Sequence, residues 1–145
     1  MRQDFLYRGL LKKPALRFSF ASTAETVQKA VLTHNCDPVS SLILGRAVTA
    51  TALLAPMLEK SERYSIRWDY AGKIGSVLCD TDAAGHLRGL IKNPYLASDC
   101  ASEEEIYGES GFISVIKSDS GKILNSGKAA AGLLEIASDL AFFLS

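Results

Sequence analysis

From Pro38 to Leu58 the chain carries a single charge, Arg46. Asp37 can accept an amide proton of a first helical turn. Pro38 fits the first helical position, where its missing N–H costs nothing. The spacing predicts a helix from Pro38 to about Lys60. Ile43, Ala47, Ala50, Leu54 and Met57 form one apolar stripe. Leu44, Val48, Thr51, Ala55 and Leu58 form a second, about 100° round. A helix apolar over that much of its circumference is buried on more than one side or is offered to a partner. The rest of the fold must therefore enclose it. Gly45, Ala47, Ala50 and Ala52 would let other backbones pack close. The longest uncharged apolar stretch, Ala47 to Leu58, is too short to span a bilayer and contains Pro56.

The segments around this helix read mostly as strands. Asp4 to Leu11 is a strand, Lys13-Pro14 breaks it, and Leu16 to Phe20 alternates as a second. Ser22 and Glu25 have capping-box spacing, so a helix should follow to about His34, with Val27, Ala30 and Val31 facing inward. In Tyr64 to Tyr70, Ile66, Trp68 and Tyr70 share one face, and Ser65, Arg67 and Asp69 the other. Gly75 to Thr81 and Leu87 to Ile91 are further strands, joined by a turn-rich Asp80–Gly85 connection. Phe112–Lys117 and Ile123–Ala130 form a hairpin around Asp119-Ser120-Gly121. Glu135 to Leu144 is a last helix, with Leu133, Ile136, Leu140, Phe143 and Leu144 apolar. Runs of strands with segregated helices point to an α+β fold, mostly antiparallel. The 145 residues suit one domain, 1–145.

Sixteen bases balance sixteen acids, so overall charge gives no case for nucleic acid or an anionic membrane as partner. The first seventeen residues are locally basic (Arg2, Arg8, Lys12, Lys13, Arg17 against Asp4), and the basic N-terminus also brings Phe5, Tyr7, Phe18 and Phe20. Cations mixed with aromatics are the ingredients of a stacking platform. A core strand pair explains them more simply. Between Lys92 and Lys117, Asp99, Glu103, Glu104, Glu105 and Glu109 stand without a base, as in a solvated loop. Cys36, Cys79 and Cys100 are odd in number and widely spaced, which suits a reducing cytoplasm rather than a disulfide framework.

No chemical centre emerges. His34, Cys36, Cys79, His86 and Cys100 make no C-x-x-C or H-x-x-x-H pair. Asp80-Thr81-Asp82 opens like a calcium loop, but Ala84 replaces the third ligand and Ile91 stands where a bidentate Glu is needed. Gly72-Lys73-Ile74-Gly75-Ser76 lacks phosphate-loop spacing and leads into a strand. Cys79 and His86 could meet on facing strands, with no third group to orient them. The expectation is a protein that binds rather than one that catalyses.

Several segments, in order, carry a resemblance. They are Asp4–Gly9, His34-Asn35-Cys36-Asp37-Pro38, Leu44-Gly45-Arg46-Ala47, Gly72–Ser76, Asp80–Gly89 before Asn93-Pro94, Gly111–Lys117 and Glu135–Ser145. Together they resemble the N-terminal domain of the redox-regulated heat-shock chaperones, the HslO family of thirty-three-kilodalton chaperonins. The resemblance implies a cytoplasmic, ATP-independent holdase that binds unfolded polypeptides under oxidative or heat stress. It implies a large twisted sheet packed with helices, and a homodimer as the active form. In that family a C-terminal arm and a four-cysteine zinc domain follow. The chain stops at Ser145, and none of its three cysteines matches that set. Neither zinc nor another cofactor is therefore expected here, and the chain reads as a fragment or a natural short form.

A holdase needs exposed apolar surface. The segments able to supply it hold Ile66, Trp68 and Tyr70, then Leu54, Met57 and Leu58, then Phe142 and Phe143. Taken singly, each is more simply an ordinary core element. A non-catalytic dimerisation scaffold is the alternative, and an enzyme relying on Cys79 a third.

Overall fold

The computed structural model describes residues 3–145, so Arg2 of the basic N-terminus lies outside the described residues. Strands β1 (Phe5–Lys12) and β2 (Ala15–Ser22) form a two-stranded antiparallel ribbon. Helices α1 (Ala24–Thr33) and α2 (Pro38–Ala52) follow, then a short 3-10 turn, Ala55–Met57. Strands β3 (Glu62–Tyr70), β4 (Ser76–Asp82), β5 (Leu87–Ile91), β6 (Gly111–Asp119) and β7 (Lys122–Ala130) form one antiparallel sheet in the order β5-β4-β3-β6-β7. The short helices α3 (Leu96–Asp99) and α4 (Glu103–Tyr107) precede β6, and α5 (Ile136–Leu144) ends the chain. The fold is α+β, as the order of elements implies.

Helix α2 starts as its sequence dictates. The Asp37 carboxylate accepts from the Ser40 N–H at 2.9 Å, and Pro38 takes the first turn. It stops well before Lys60. Pro56 has no N–H to donate and its ring crowds the carbonyl four residues back, so the chain tightens into the 3-10 turn. The apolar segment Pro38–Met57 is long enough to cross a bilayer, but half of it is buried inside this fold.

The first helix is capped differently from the expectation. Strand β2 runs on to Ser22, which pairs with Phe5, so Ser22 is spent on the ribbon. Thr23 sits at the cap, and its hydroxyl shares a 2.6 Å bond with that of Thr49 on α2. The free amides of Glu25 and Thr26 are taken instead by the Asp4 carboxylate, at 2.9 and 2.7 Å. Val27 and Ala30 pack against the core as expected, but α1 buries no residue completely.

Strand β3 is the centre of the sheet. On its inner face Trp68 lies between Val77 and Ile113, and Ile66 between Cys79 and Val115. Ile43, Leu44, Ala47 and Val48 of α2 complete this core. Gly89 on β5 makes the close approach possible: a Cβ there would sit 2.7 Å from Val48 Cγ2 and 3.1 Å from Leu44 Cδ1. The β6–β7 hairpin turns through Ser120 and Gly121, both at positive φ, a two-residue loop matched to strand twist.

The acidic segment is more structured than a solvated loop. Ser102 caps α4 by accepting from the Glu105 N–H, and Glu103, Glu104 and Glu105 fill the first turn, where negative charge is favoured. Leu96, Ile106 and Tyr107 are buried beneath it.

Candidate functional site

Among the described residues, helices α2 and α5 pack on the inner face of the sheet. On the outer face the register aligns Leu90, Leu78, Arg67, Ser114 and Lys128 in one row across the strands. The next row holds Arg88, Asp80, Ser65, Ile116 and Ser126. Phe112 lies opposite Asp69. Leu78, Leu90, Phe112 and Ile116 are 37, 48, 49 and 37 % exposed. The arginines among them pair with carboxylates and the lysine lies over a ring. The Arg67 guanidinium donates to Asp69 at 2.9 Å, Arg88 donates to Asp80 at 2.7 Å, and the Lys128 ammonium stands 4.5 Å from the centre of the Phe112 ring. The outcome is an open, gently mixed surface with apolar side chains set between neutralised charges.

Most of the surface expected from sequence lies elsewhere. Ile66 and Trp68 are fully buried, and Tyr70, Leu54 and Leu58 are 6, 6 and 7 % exposed. They are core because α2 and α5 pack on that face of the sheet. Trp68 and Tyr70 also spend their polar atoms inside, donating to the Ile136 carbonyl and the Asp139 carboxylate of α5. Phe143 is half-buried, its ring resting over Gly127 of β7. Met57 and Phe142 are exposed, at 60 and 63 %, on different elements. Leu78, Leu90, Phe112 and Ile116 went unrecognised as surface. Their signal was present: Ser76–Asp82 and Gly111–Asp119 carry apolar side chains on both alternating faces, more than one buried face requires.

The titratable groups singled out from the sequence, Cys79 and His86 among them, are not drawn together. Cys79 faces the core, and burial pushes its thiol up to about 12, against a weaker lowering by the Thr51 hydroxyl. His86 stands exposed in the β4–β5 turn and pairs with Asp82 at 2.9 Å, so the structure does not join it to Cys79. Asp82 organises that turn, accepting also from the Ala84 and His86 amides at 3.0 Å. Burial works to raise its pKa, but these bonds hold it below the usual carboxylate value. Burial likewise raises the Cys36 and Cys100 thiols. Among the described residues no three His, Cys, Asp or Glu side chains are grouped to hold a metal, so the residues present do not fit a zinc site.

The ribbon separates what its sequence mixes. Phe5, Tyr7, Phe18 and Phe20 lie on one face, and Arg8, Lys12 and Arg17 on the other. It is not a core strand pair, since all four aromatics are exposed.

Comparisons with known proteins agree with this geometry. The profile of the Hsp33 protein family matches residues 4–145. A 33 kDa chaperonin of Bacillus licheniformis is 30% identical over 146 residues, 97% of this chain and 50% of that protein. One from Thermus thermophilus is 40% identical over 91 residues, 61% of this chain and 27% of that protein. The crystal structure of the 33 kDa chaperonin of Thermotoga maritima superposes with a TM-score of 0.85 at 25% identity, covering 96% of this chain and 49% of that one. The chain spans about half the length of these two full-span relatives.

Proposed function

The chain belongs to the Hsp33 family, and we propose that it is a nucleotide-independent holdase domain that binds unfolded polypeptides on the outer face of its five-stranded sheet. The carrying observation is that face itself, where Leu78, Leu90, Phe112 and Ile116 stand open on rigid paired strands. An unfolded segment offers apolar side chains at irregular intervals with polar backbone between them. A surface with apolar points set among paired charges accepts such a segment without requiring one sequence. Burying each apolar side chain is worth about 1.5–3 kcal/mol, so several weak contacts suffice for a holding complex. The domain would act in the cytoplasm under oxidative or heat stress, as a homodimer. The reading requires no cofactor from this chain, and neither nucleic acid nor membrane takes part in it.

The test is light scattering from a heat-denatured client, with equimolar protein and no nucleotide. Suppressed aggregation is the expected result. Unchanged scattering in both reduced and oxidised samples would overturn the proposal.

A further inference from the structure

The two edges of the five-stranded sheet differ in how they end. Strand β5 forms one edge and β7 the other. Along an antiparallel ladder, the backbone N–H and C=O groups of successive residues turn alternately toward the neighbouring strand and away from it. The Lys92 N–H donates to the Ser76 carbonyl, so by that alternation Leu87, Gly89 and Ile91 turn their groups outward from β5. This edge is short and guarded. It has five residues, helix α1 lies beside it, and Nε2 of His34, at the end of α1, donates to the outward Gly89 carbonyl at 2.8 Å.

Strand β7 ends otherwise. The Ala131 N–H donates to the Gly111 carbonyl, so Ile113 bonds with Ala129 and Val115 with Gly127, while Ser126, Lys128 and Ala130 turn their backbone groups away from β6. The far side of β6 agrees: the Ala71 N–H donates to the Ser110 carbonyl, which assigns Phe112, Ser114 and Ile116 to β3. Ser126, Lys128 and Ala130 are exposed, and among the described residues no donor or acceptor meets their outward groups. Long open edges are usually blunted by charge or proline. This one runs nine residues, and its mid-strand charge is turned aside, since the Lys128 ammonium reaches back over the Phe112 ring of β6.

We propose that an extended segment of an unfolded polypeptide adds to β7 as a sixth strand, bonded to the backbone of Ser126, Lys128 and Ala130. A row of alternating donors and acceptors is complementary to an extended backbone. Every unfolded chain carries such a backbone, whereas a folded one has already paired it. The edge thereby selects for the non-native state and is indifferent to sequence. The side chains of Ser126, Lys128 and Ala130 lie on the outer face, in the rows of Ile116, Ser114 and Phe112. Alternate side chains of the added strand extend those rows, so edge and face hold one client together. The inference rests on the client-binding reading and deepens it.

The experiment measures affinity of the full chain for a reduced and alkylated, permanently unfolded protein, with two substitutions at one position. Lys128→Pro removes an outward N–H and no bond to β6, a place where a strand tolerates proline. Lys128→Ala removes the same charge and keeps the N–H. Affinity lowered at least tenfold by Lys128→Pro and less than threefold by Lys128→Ala is the expected result. Circular dichroism establishes that both variants fold. Should Lys128→Pro fail to fold, amide exchange on the wild type decides, with the Ser126 and Lys128 amides slowed at least tenfold by saturating client. Equal effects of the two substitutions, or exchange at these amides unchanged by client, would overturn the proposal and leave the outer face as the holding surface. Slowing that appears without client as protein concentration rises would also overturn it, since the edge would then belong to a second copy. A wild type that binds no unfolded protein would overturn the holdase reading and this inference with it.

Discussion

The Tyr70 hydroxyl donates a 2.7 Å hydrogen bond to Oδ2 of Asp139, joining the central strand to the last helix. The same carboxylate accepts from the Leu133 and Glu135 amides at 2.9 and 3.0 Å, and it is 2 % exposed. Burial first, and then the Asp139 carboxylate, raise the Tyr70 pKa, so the hydroxyl remains a donor throughout the accessible pH range. Asp139 is thus the knot that fixes the loop before α5 and the helix itself to β3.

Replacing Asp139 by Ala leaves three donors without an acceptor and should cost about 3 kcal/mol, whereas Tyr70→Phe removes one bond and should cost about 1.5 kcal/mol. Urea unfolding of the two variants measures the difference. Equal losses would mean that the amide bonds contribute nothing.

Asp4 caps α1 from 21 residues away. Burial works to raise its pKa, but bonds from the Thr26 hydroxyl and the Glu25 and Thr26 amides, with Lys29 nearby, hold it below the usual value. A carboxyl lowered on folding contributes stability above its unfolded pKa of about 4, and that stability is lost as pH falls through the folded value. Asp4→Asn keeps one acceptor oxygen but loses the second, which takes the Thr26 amide and hydroxyl, and the charge, so it should cost about 1 kcal/mol at pH 7, and the gap should close below about pH 4. A gap constant from pH 7 to pH 3 would refute the electrostatic part of the cap.

Leu78→Glu combined with Leu90→Glu puts two charges on the open sheet face. Client affinity should fall at least tenfold, on the scale of about 1.5 kcal/mol per apolar side chain. The melting temperature should stay within about 2 °C, since neither side chain is core. Retained aggregation suppression by a folded variant would move client binding elsewhere.

Cys79 should resist iodoacetamide at pH 8, because burial holds its thiol near 12 and leaves almost no thiolate. Cys36 and Cys100, half-buried, should be labelled first. Mass spectrometry of a time course distinguishes the three, and early labelling of Cys79 would show that α2 opens readily from the sheet.

Local chemistry made much of the fold legible. Asp37-Pro38 announced α2, the period-2 pattern of Tyr64–Tyr70 announced β3, and Ser120-Gly121 announced the last hairpin. What stayed hidden depended on contacts distant in sequence. Ser22 was lost to the ribbon because Phe5 pairs with it, and Asp4 replaced it as cap from the far end of that ribbon. The site was legible only as apolar supply, not as placement. A strand with one apolar face says nothing of whether that face is covered, so Ile66, Trp68 and Tyr70 stood as candidates for client surface as well as for core, and α2 and α5 bury them. The ribbon failed in the opposite direction, reading as core while its four aromatic side chains stand exposed among the described residues.

The pairing of β3 with β6 has a consequence during synthesis. β3 finds its first neighbour, β4, almost at once, but Tyr70 must wait for Gly111, and Glu62 for Asp119, before the second edge closes. Until then the nascent chain carries the strand with Ile66 and Trp68 at the border of an unfinished sheet. Helix α2, made earlier, is the long apolar helix that precedes them. Completion of the domain thus waits on the β6–β7 hairpin and then α5 leaving the ribosome, and a pause between Tyr70 and Gly111 would leave its own core open to aggregation.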